Sequence, residues 1–377
     1  MLNRRTLRIK VMQSLFAYEQ CKEADYLLAC DCVESYFEPD LNSMKVQDRT
    51  LLKEQKQVAM RIFERRFKGE EMEPSADSRI TEAVEAALDL YKKQTRKDFD
   101  FLKKQTVIEV EKITTYYFSV LSLLEALADV AAADKKVNHK AFANNYFVAA
   151  LRANGEYKSM VLKLGAGWDT RMDKVRGWFR DIVRQDEEYQ QFLDHKAPDE
   201  EMQKSIIKHL LRKLILGKST INDYFEEEDI RWAEDHEIIR SMVEKTLKSS
   251  HIGSPLVEIQ KLSLEWEDDR HFMDELFAHA ARLEPQYLDL IARNTRNWEM
   301  ERLPLTDRVV LAMAISELLR FQNIPVKVTI NEYIELTKRY STPNSRQFIN
   351  GILDVIAKEL QQTGAIRKSG RGLIDNK

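Results

Sequence analysis

The stretch from Thr306 to Leu360, TDRVVLAMAISELLRFQNIPVKVTINEYIELTKRYSTPNSRQFINGILDVIAKEL, decides the fold. It reads as three helices in quick succession. Val309 to Ile315 is apolar without a break, so the first helix has no face to give water and belongs inside a bundle. Asn323-Ile324-Pro325 stops it. Thr329-Ile330-Asn331-Glu332 has the spacing of a capping box, a Thr hydroxyl followed three residues later by a Glu that reaches back. Ile330, Tyr333, Ile334 and Thr337 then recur at helical spacing. Ser341-Thr342-Pro343-Asn344 breaks the chain again. A last helix starts near Ser345 with Ile349, Ile352, Leu353, Ile356 and Leu360 on one stripe. Asn350-Gly351 would elsewhere suggest a turn. Inside this periodic pattern it reads as mid-helix, with close approach of a neighbouring helix as the expected reason for a glycine.

The rest of the chain agrees with an all-α class. Of 377 residues, 32% are charged, and only 11 are Gly and 8 Pro, which suits long helices better than strands and turns. It also argues against glycine-rich nucleotide loops, which need several Gly close together. The net charge of −3 gives no global attraction to nucleic acid, so any such binding must come from a local patch. Cys21, Cys30 and Cys32 form no CxxC pair and read as free thiols of a reducing compartment. No apolar run approaches membrane-spanning length, and the N-terminus lacks the apolar core of a signal peptide. The expectation is a cytoplasmic protein with no membrane association.

Taken in order, Leu2 to Gln20 form a first helix, with Leu7, Val11, Leu15 and Tyr18 on its apolar face. Residues from about 40 to 250 read as a further series: Lys45–Phe67, Ala76–Thr95, Lys97–Ala133, Lys140–Asn154 and Asp169–Leu193. Ala197-Pro198-Asp199-Glu200-Glu201 opens another, with proline in the first turn and acids near the positive dipole end. Gly217 closes that one, and Glu226–Ser249 follows. No fixed-period repeat supports a solenoid.

Arg4, Arg5, Arg8 and Lys10 crowd the opening turns of the first helix. Cations there oppose the macrodipole, at about 0.3–1 kcal/mol for each exposed charge. An anionic partner such as phosphate would account for them, because arginine offers it a planar fork; a solvated basic end or a targeting peptide are the other readings. The basic pairs Lys92-Lys93, Arg96-Lys97 and Lys103-Lys104, and the run Lys135 to Lys140, are interspersed with acids and read as solvated faces. His271, Glu275 and His279 share a helical face but span about 12 Å of axis, too long to hold one ion. HExxH, GxSxG, a Walker loop and GxGxxG are all absent. Neither a cofactor nor a metal site is expected, and no catalytic constellation emerges.

The opening and closing segments together resemble the NusB family of antitermination factors. Arg4-Arg5-x-x-Arg8-x-x-x-x-Gln13-x-Leu15-Phe16 is similar to the family's start. Trp266-Glu267-Asp268 to Phe277 and Tyr287-Leu288-Asp289 are similar to its second-bundle entry. Asn297-Trp298-x-x-x-Arg302-Leu303 leads into Asp307-Arg308-x-x-Leu311-x-x-Ala314-x-x-Glu317-Leu318. Most specific are Ile324-Pro325-x-x-Val328-x-Ile330-Asn331-Glu332-x-Ile334-Glu335-Leu336-x-Lys338 and Phe348-Ile349-Asn350-Gly351-Ile352-Leu353-Asp354.

The resemblance implies a fold of small helical bundles without catalysis. It implies binding of single-stranded boxA-type RNA in ribosomal RNA leaders together with NusE, a ribosomal protein. The complex works within the transcription elongation assembly with other Nus factors, helping polymerase read through terminators in support of rRNA synthesis. By resemblance, RNA contacts fall on Arg4, Arg5 and Arg8, and on the junction Asn344, Ser345, Arg346, Gln347 and Phe348. Thr6 and Gln347 stand where many relatives carry a basic residue. Phe348 suits either stacking on a base or the core. Arg302 and Asp307 lie where the family meets NusE, and an intramolecular salt bridge is an equally good reading. The expected division is a discontinuous NusB-like RNA-binding domain over residues 1–22 and 260–361, a helical insertion of unknown role over 40–250, and a basic tail over 362–377 expected to be disordered. Two alternatives remain: a helical scaffold that keeps the fold without binding RNA, and a fragment of an rRNA cytosine methyltransferase.

Overall fold

The computed structural model describes residues 2–376 except 41, 43–45, 73–74, 196, 255–256 and 296–302. Among them every regular element is helical. The chain divides into two compact units, one of Met1–Arg4 with Ile108–Asp269, the other of Arg5–Val107 with Arg270–Lys377. These limits differ from the expected division in that residues 40–107 fall in the unit that holds the C-terminal helices.

That unit opens with α1 (Arg4–Ser35), α2 (Arg49–Phe67) and the first part of α3 (Ser78–Ala133). Two expected helix boundaries disappear. The first helix runs on past Cys21 because Ala29 and Val33 continue its apolar stripe; with Phe37 they pack against Ala59 and Phe63 of α2 and Ala83, Val84 and Ala87 of α3. The expected helices 76–95 and 97–133 are one helix of 56 residues. No Pro or Gly lies between them to break it. Part of α3 is long and apolar enough to cross a membrane by length and composition alone, contrary to the expectation from the sequence. But 67% of that window is buried inside the protein, so it is core.

The other unit takes in the rest of α3, then α4 (Lys140–Ala143), α5 (Tyr146–Ala153), α6 (Gly155–Leu164), α7 (Met172–Trp178), α8 (Glu187–Leu193), α9 (Glu200–His209), α10 (Ser219–Glu228) and α11 (Trp232–Lys248). Asp199 caps α9 by accepting from the Met202 amide at 2.8 Å, so Pro198 precedes the cap instead of lying in the first turn. The core here is aromatic: Trp232 stacks on Phe225 with ring centroids 4.2 Å apart. The buried Tyr117 hydroxyl bonds Thr246 at 2.6 Å and accepts from the Gln260 amide.

Helix α12 (Trp266–Ala281) returns the chain to the unit that holds α1 and α2, followed by α13 (Pro285–Asn294), α14 (Leu305–Arg320), α15 (Val326–Tyr340) and α16 (Ser345–Gln362). Helix α14 is buried nearly all round, as its apolar run requires, and α15 and α16 pack against it and each other. The α16 stripe of Ile349, Ile352, Leu353, Ile356 and Leu360 is buried. The tail does not hang free. Lys368 Nζ donates to the Phe321 carbonyl at the end of α14, and the Ser369 amide donates to that of Gln322.

Gly351 is mid-helix but exposed, and a Cβ there would meet nothing within 4 Å. Close helix approach is therefore not its reason, and the structure gives no other. Gly351→Ala is expected to stabilise the protein by about 0.5–1 kcal/mol, because alanine loses less backbone freedom in a helix. A lowered midpoint in thermal unfolding would contradict this.

Candidate nucleic-acid interface

The arginines at the start of α1 do not face solvent as an unpaired group. Arg8 is 2% exposed, and its guanidinium lays a fork on Glu317 of α14, with Nε and Nη2 each 2.7 Å from a carboxylate oxygen. Glu317, at 0% exposure, also accepts from the Thr329 hydroxyl at 2.9 Å and the Tyr333 hydroxyl at 3.0 Å, both on α15. Burial pulls the Arg8 pKa down, but the hydrogen bond and charge of Glu317 outweigh it, so the net shift is upward and the cation is secure. Burial, with the Glu317 charge behind it, pushes the Tyr333 phenol well up, which keeps it a neutral donor. One carboxylate thereby joins α1, α14 and α15.

This network also relocates the expected capping box. Helix α15 begins at Val326, just after Pro325. Thr329 lies a turn inside and spends its hydroxyl on Glu317, while Glu332 reaches α1.

Arg5 is half-exposed and forks onto Glu332 at 2.9 and 2.8 Å. The hydrogen bond from Arg5 is the main cause that lowers the Glu332 pKa, with the Arg8 charge adding to it. Arg4 pairs with Asp268 and lies 3.5 Å from Asp269, at the start of α12. The anions that offset these N-terminal cations are therefore, in this chain alone, its own carboxylates.

The second expected region, the junction before α16, divides in the same way. Asp307 is 1% exposed and accepts from the hydroxyls of Ser341 and Ser345, each at 2.6 Å. Thr342 and Ser345 hydroxyls lie 2.7 Å apart. Ser345 is thus part of an anchor, and Asp307 holds a loop where a surface contact with a partner was expected. Asn344, Arg346 and Gln347 are exposed and Phe348 is half-buried. Arg302 lies outside the described residues. Glu317 and Asp307 are ten residues apart on α14. The two expected RNA regions are therefore tied to that helix at points roughly 15 Å apart along its axis.

Glu317 escapes the sequence reading although a signal is present. A helix with no solvent face that carries a carboxylate must bring it a partner, since an unpaired buried charge is strongly disfavoured. The other singled-out groups behave blandly. His279 bonds Glu275 at 3.1 Å, the three cysteines are free, and no cluster able to hold a metal is found among the described residues.

Comparison with known proteins bears on the same segment. The model of the NusB family matches residues 233–358, a range from α11 to α16 that leaves α1 outside. The chain is 42% identical over 105 residues to the transcription antitermination protein NusB of Salinibacter ruber, 28% of this chain and 66% of that protein. It is 47% identical over 85 residues to that of Chloroherpeton thalassium, 22% of this chain and 40% of the relative. With the Thermotoga maritima protein of the same name it shares 55% over 71 residues, 19% of this chain and 50% of the relative. The chain thus spans between two fifths and about two thirds of the length of these relatives. No solved structure matches it. Through residues 233–358 the chain belongs to the NusB family, in a long form whose additional regular elements, among the described residues, are helices.

Proposed function

We propose that the chain is a cytoplasmic transcription antitermination factor that binds boxA-type single-stranded RNA of rRNA leaders together with NusE. It would act within the elongation complex, alongside other Nus factors, to support readthrough and rRNA synthesis. The observation that carries this reading is the match of residues 233–358 to the NusB family, together with the chain's identity to relatives named as NusB antitermination proteins. The geometry supports a narrower RNA surface than the full expected set. Arg4, Arg5, Asn344, Arg346, Gln347 and Phe348 keep accessible atoms, while Arg8 and Ser345 are buried. For NusE, an apolar cleft of about 230 Å³ beside the start of α14 offers a more accessible surface than Asp307; Leu15, Leu288, Ile291, Leu305, Arg308 and Val309 line it.

One observation favours the scaffold reading instead: Arg4, Arg5 and Arg8 each already hold a carboxylate. The same measurement decides between the two. A boxA-like RNA titrated across a salt series should bind weakly alone and more tightly with NusE. Arg5→Ala with Arg346→Ala should flatten the slope of log affinity against log salt by about 0.7 for each phosphate no longer gripped. No preference of the wild type for boxA-like RNA over an unrelated strand, with or without NusE, would leave the scaffold, and an unchanged slope in the variant would remove Arg5 and Arg346 from the RNA surface.

A further inference from the structure

Helix α3 carries six cations between Lys92 and Lys104: Lys92, Lys93, Arg96, Lys97, Lys103 and Lys104. At 3.6 residues per turn they fall within roughly 140° of the helix circumference, along about 18 Å of axis. All are exposed except Lys103, which is half-buried. None of the six has an ion pair among the described residues, whereas Lys112 on the same helix holds both Glu109 and Asp229. The interspersed acids explain less than the sequence suggests. Asp98 is turned toward α1, where it acts on Cys21 and Asp25, which leaves Asp89 and Asp100 near the six. Phe101 sits at the edge of this face, 60% exposed. Arg282, at the end of α12, lies over the Phe99 ring at 3.8 Å and adds a seventh positive group nearby.

Like charges at i,i+4, as in Lys92–Arg96 and Lys93–Lys97, disfavour a helix, so folding alone does not select this arrangement. We infer that this face of α3 is a second surface for RNA, one that grips the backbone of a single strand. Separate lysine ammoniums act as point charges that track phosphates without reading bases, and an exposed aromatic beside them supplies a stacking platform. A membrane surface fits less well, because a helix lying on lipid needs an exposed apolar face and the apolar Phe99 and Val107 of α3 are buried. The inference rests on the reading that the chain binds RNA, and the probes separate the two.

The full chain is titrated with a short boxA-like RNA, the same RNA extended on either side, and an unrelated single strand of the extended length. Wild type should bind the extended boxA RNA about tenfold more tightly than the short one. The variant Lys93→Gln/Lys97→Gln/Lys104→Gln should lose that gain, with a salt slope lower by about 2, at roughly 0.7 per phosphate. Its affinity for the short RNA and its melting curve should stay unchanged. Phe101→Ala should cost about fivefold or more on the extended strand through weaker stacking. The unrelated strand should show the same α3-dependent losses, so a failure of the short boxA RNA to bind counts against the proposed function alone. The α3 surface is overturned if the triple variant binds both long strands as wild type does, or if wild type binds phosphatidylserine vesicles and neither long strand.

Discussion

Arg8→Ala is expected to destabilise the unit that contains α14 and α15 by about 3–5 kcal/mol, the cost of leaving a buried charge without its partner. Glu317 would keep the Thr329 and Tyr333 hydroxyls but lose both hydrogen bonds from the guanidinium, in a site with no access to water. Arg8→Lys should recover only part of the stability, because an ammonium cannot reproduce two parallel hydrogen bonds. The double change Arg8→Met with Glu317→Leu should recover more than either single change, since a buried ion pair replaced by packed apolar groups is often tolerated. Chemical denaturation followed by circular dichroism reads these differences. A single-variant effect within about 0.5 kcal/mol, the range of ordinary surface substitutions, would return Arg8 to the set of RNA contacts.

The three arginines of α1 thus form a graded series. Arg8 is locked, and any effect of its removal on RNA binding would pass through folding. Arg5, whose side chain is 48% exposed, holds a pair of the kind that contributes about 0–1 kcal/mol. Such a pair can be exchanged for phosphate at small cost. Arg4 and Asp268 are likewise accessible. The Arg5–Glu332 pair keeps the guanidinium extended and ordered beforehand, which reduces the entropy lost when a phosphate arrives. It also sets a competition that RNA must win.

How much of this is legible in the sequence depends on whether the deciding contact is local. The α14–α16 stripes are readable because burial imposes helical periodicity over many residues. The start of α15 is not, because Thr329 and Glu332 have capping-box spacing but are claimed by Glu317 and Arg5, which lie far away in sequence. The unity of α3 is hidden by polar residues around Thr95 and Arg96, which interrupt the apolar pattern without interrupting the helix. In the sequence the basic residues that open α1 have no acid among them, whereas those of α3 are mixed with acids. Tertiary structure reverses that contrast: carboxylates from α12, α14 and α15 cover the first group, while none among the described residues pairs with the six cations of the second. Residue spacing along one helix carries no information about that difference.

Asp307→Ala should cost about 3 kcal/mol, from two hydroxyl bonds to a carboxylate at about 1.5–3 kcal/mol each, offset in part by relaxation of the loop. Ser341 and Ser345 would be left without their acceptor at the very start of α16, where a negative charge also favours the helix N-terminus. The sign of the RNA effect is the sharper test. Removing a negative charge from a phosphate-binding surface should, by electrostatics alone, strengthen binding and leave the fold intact. If Asp307 anchors the junction, the variant should instead bind boxA-like RNA more weakly, because Arg346 and Phe348 lose the fixed base from which they project. Asp307→Asn, which keeps an acceptor for one serine, should fall between. A third outcome, an unchanged melt with weaker NusE binding only, would place Asp307 at the protein contact that the family resemblance implies. Its 1% exposure argues against that result: a carboxylate already holding two hydroxyls cannot turn to a partner without releasing the loop it secures.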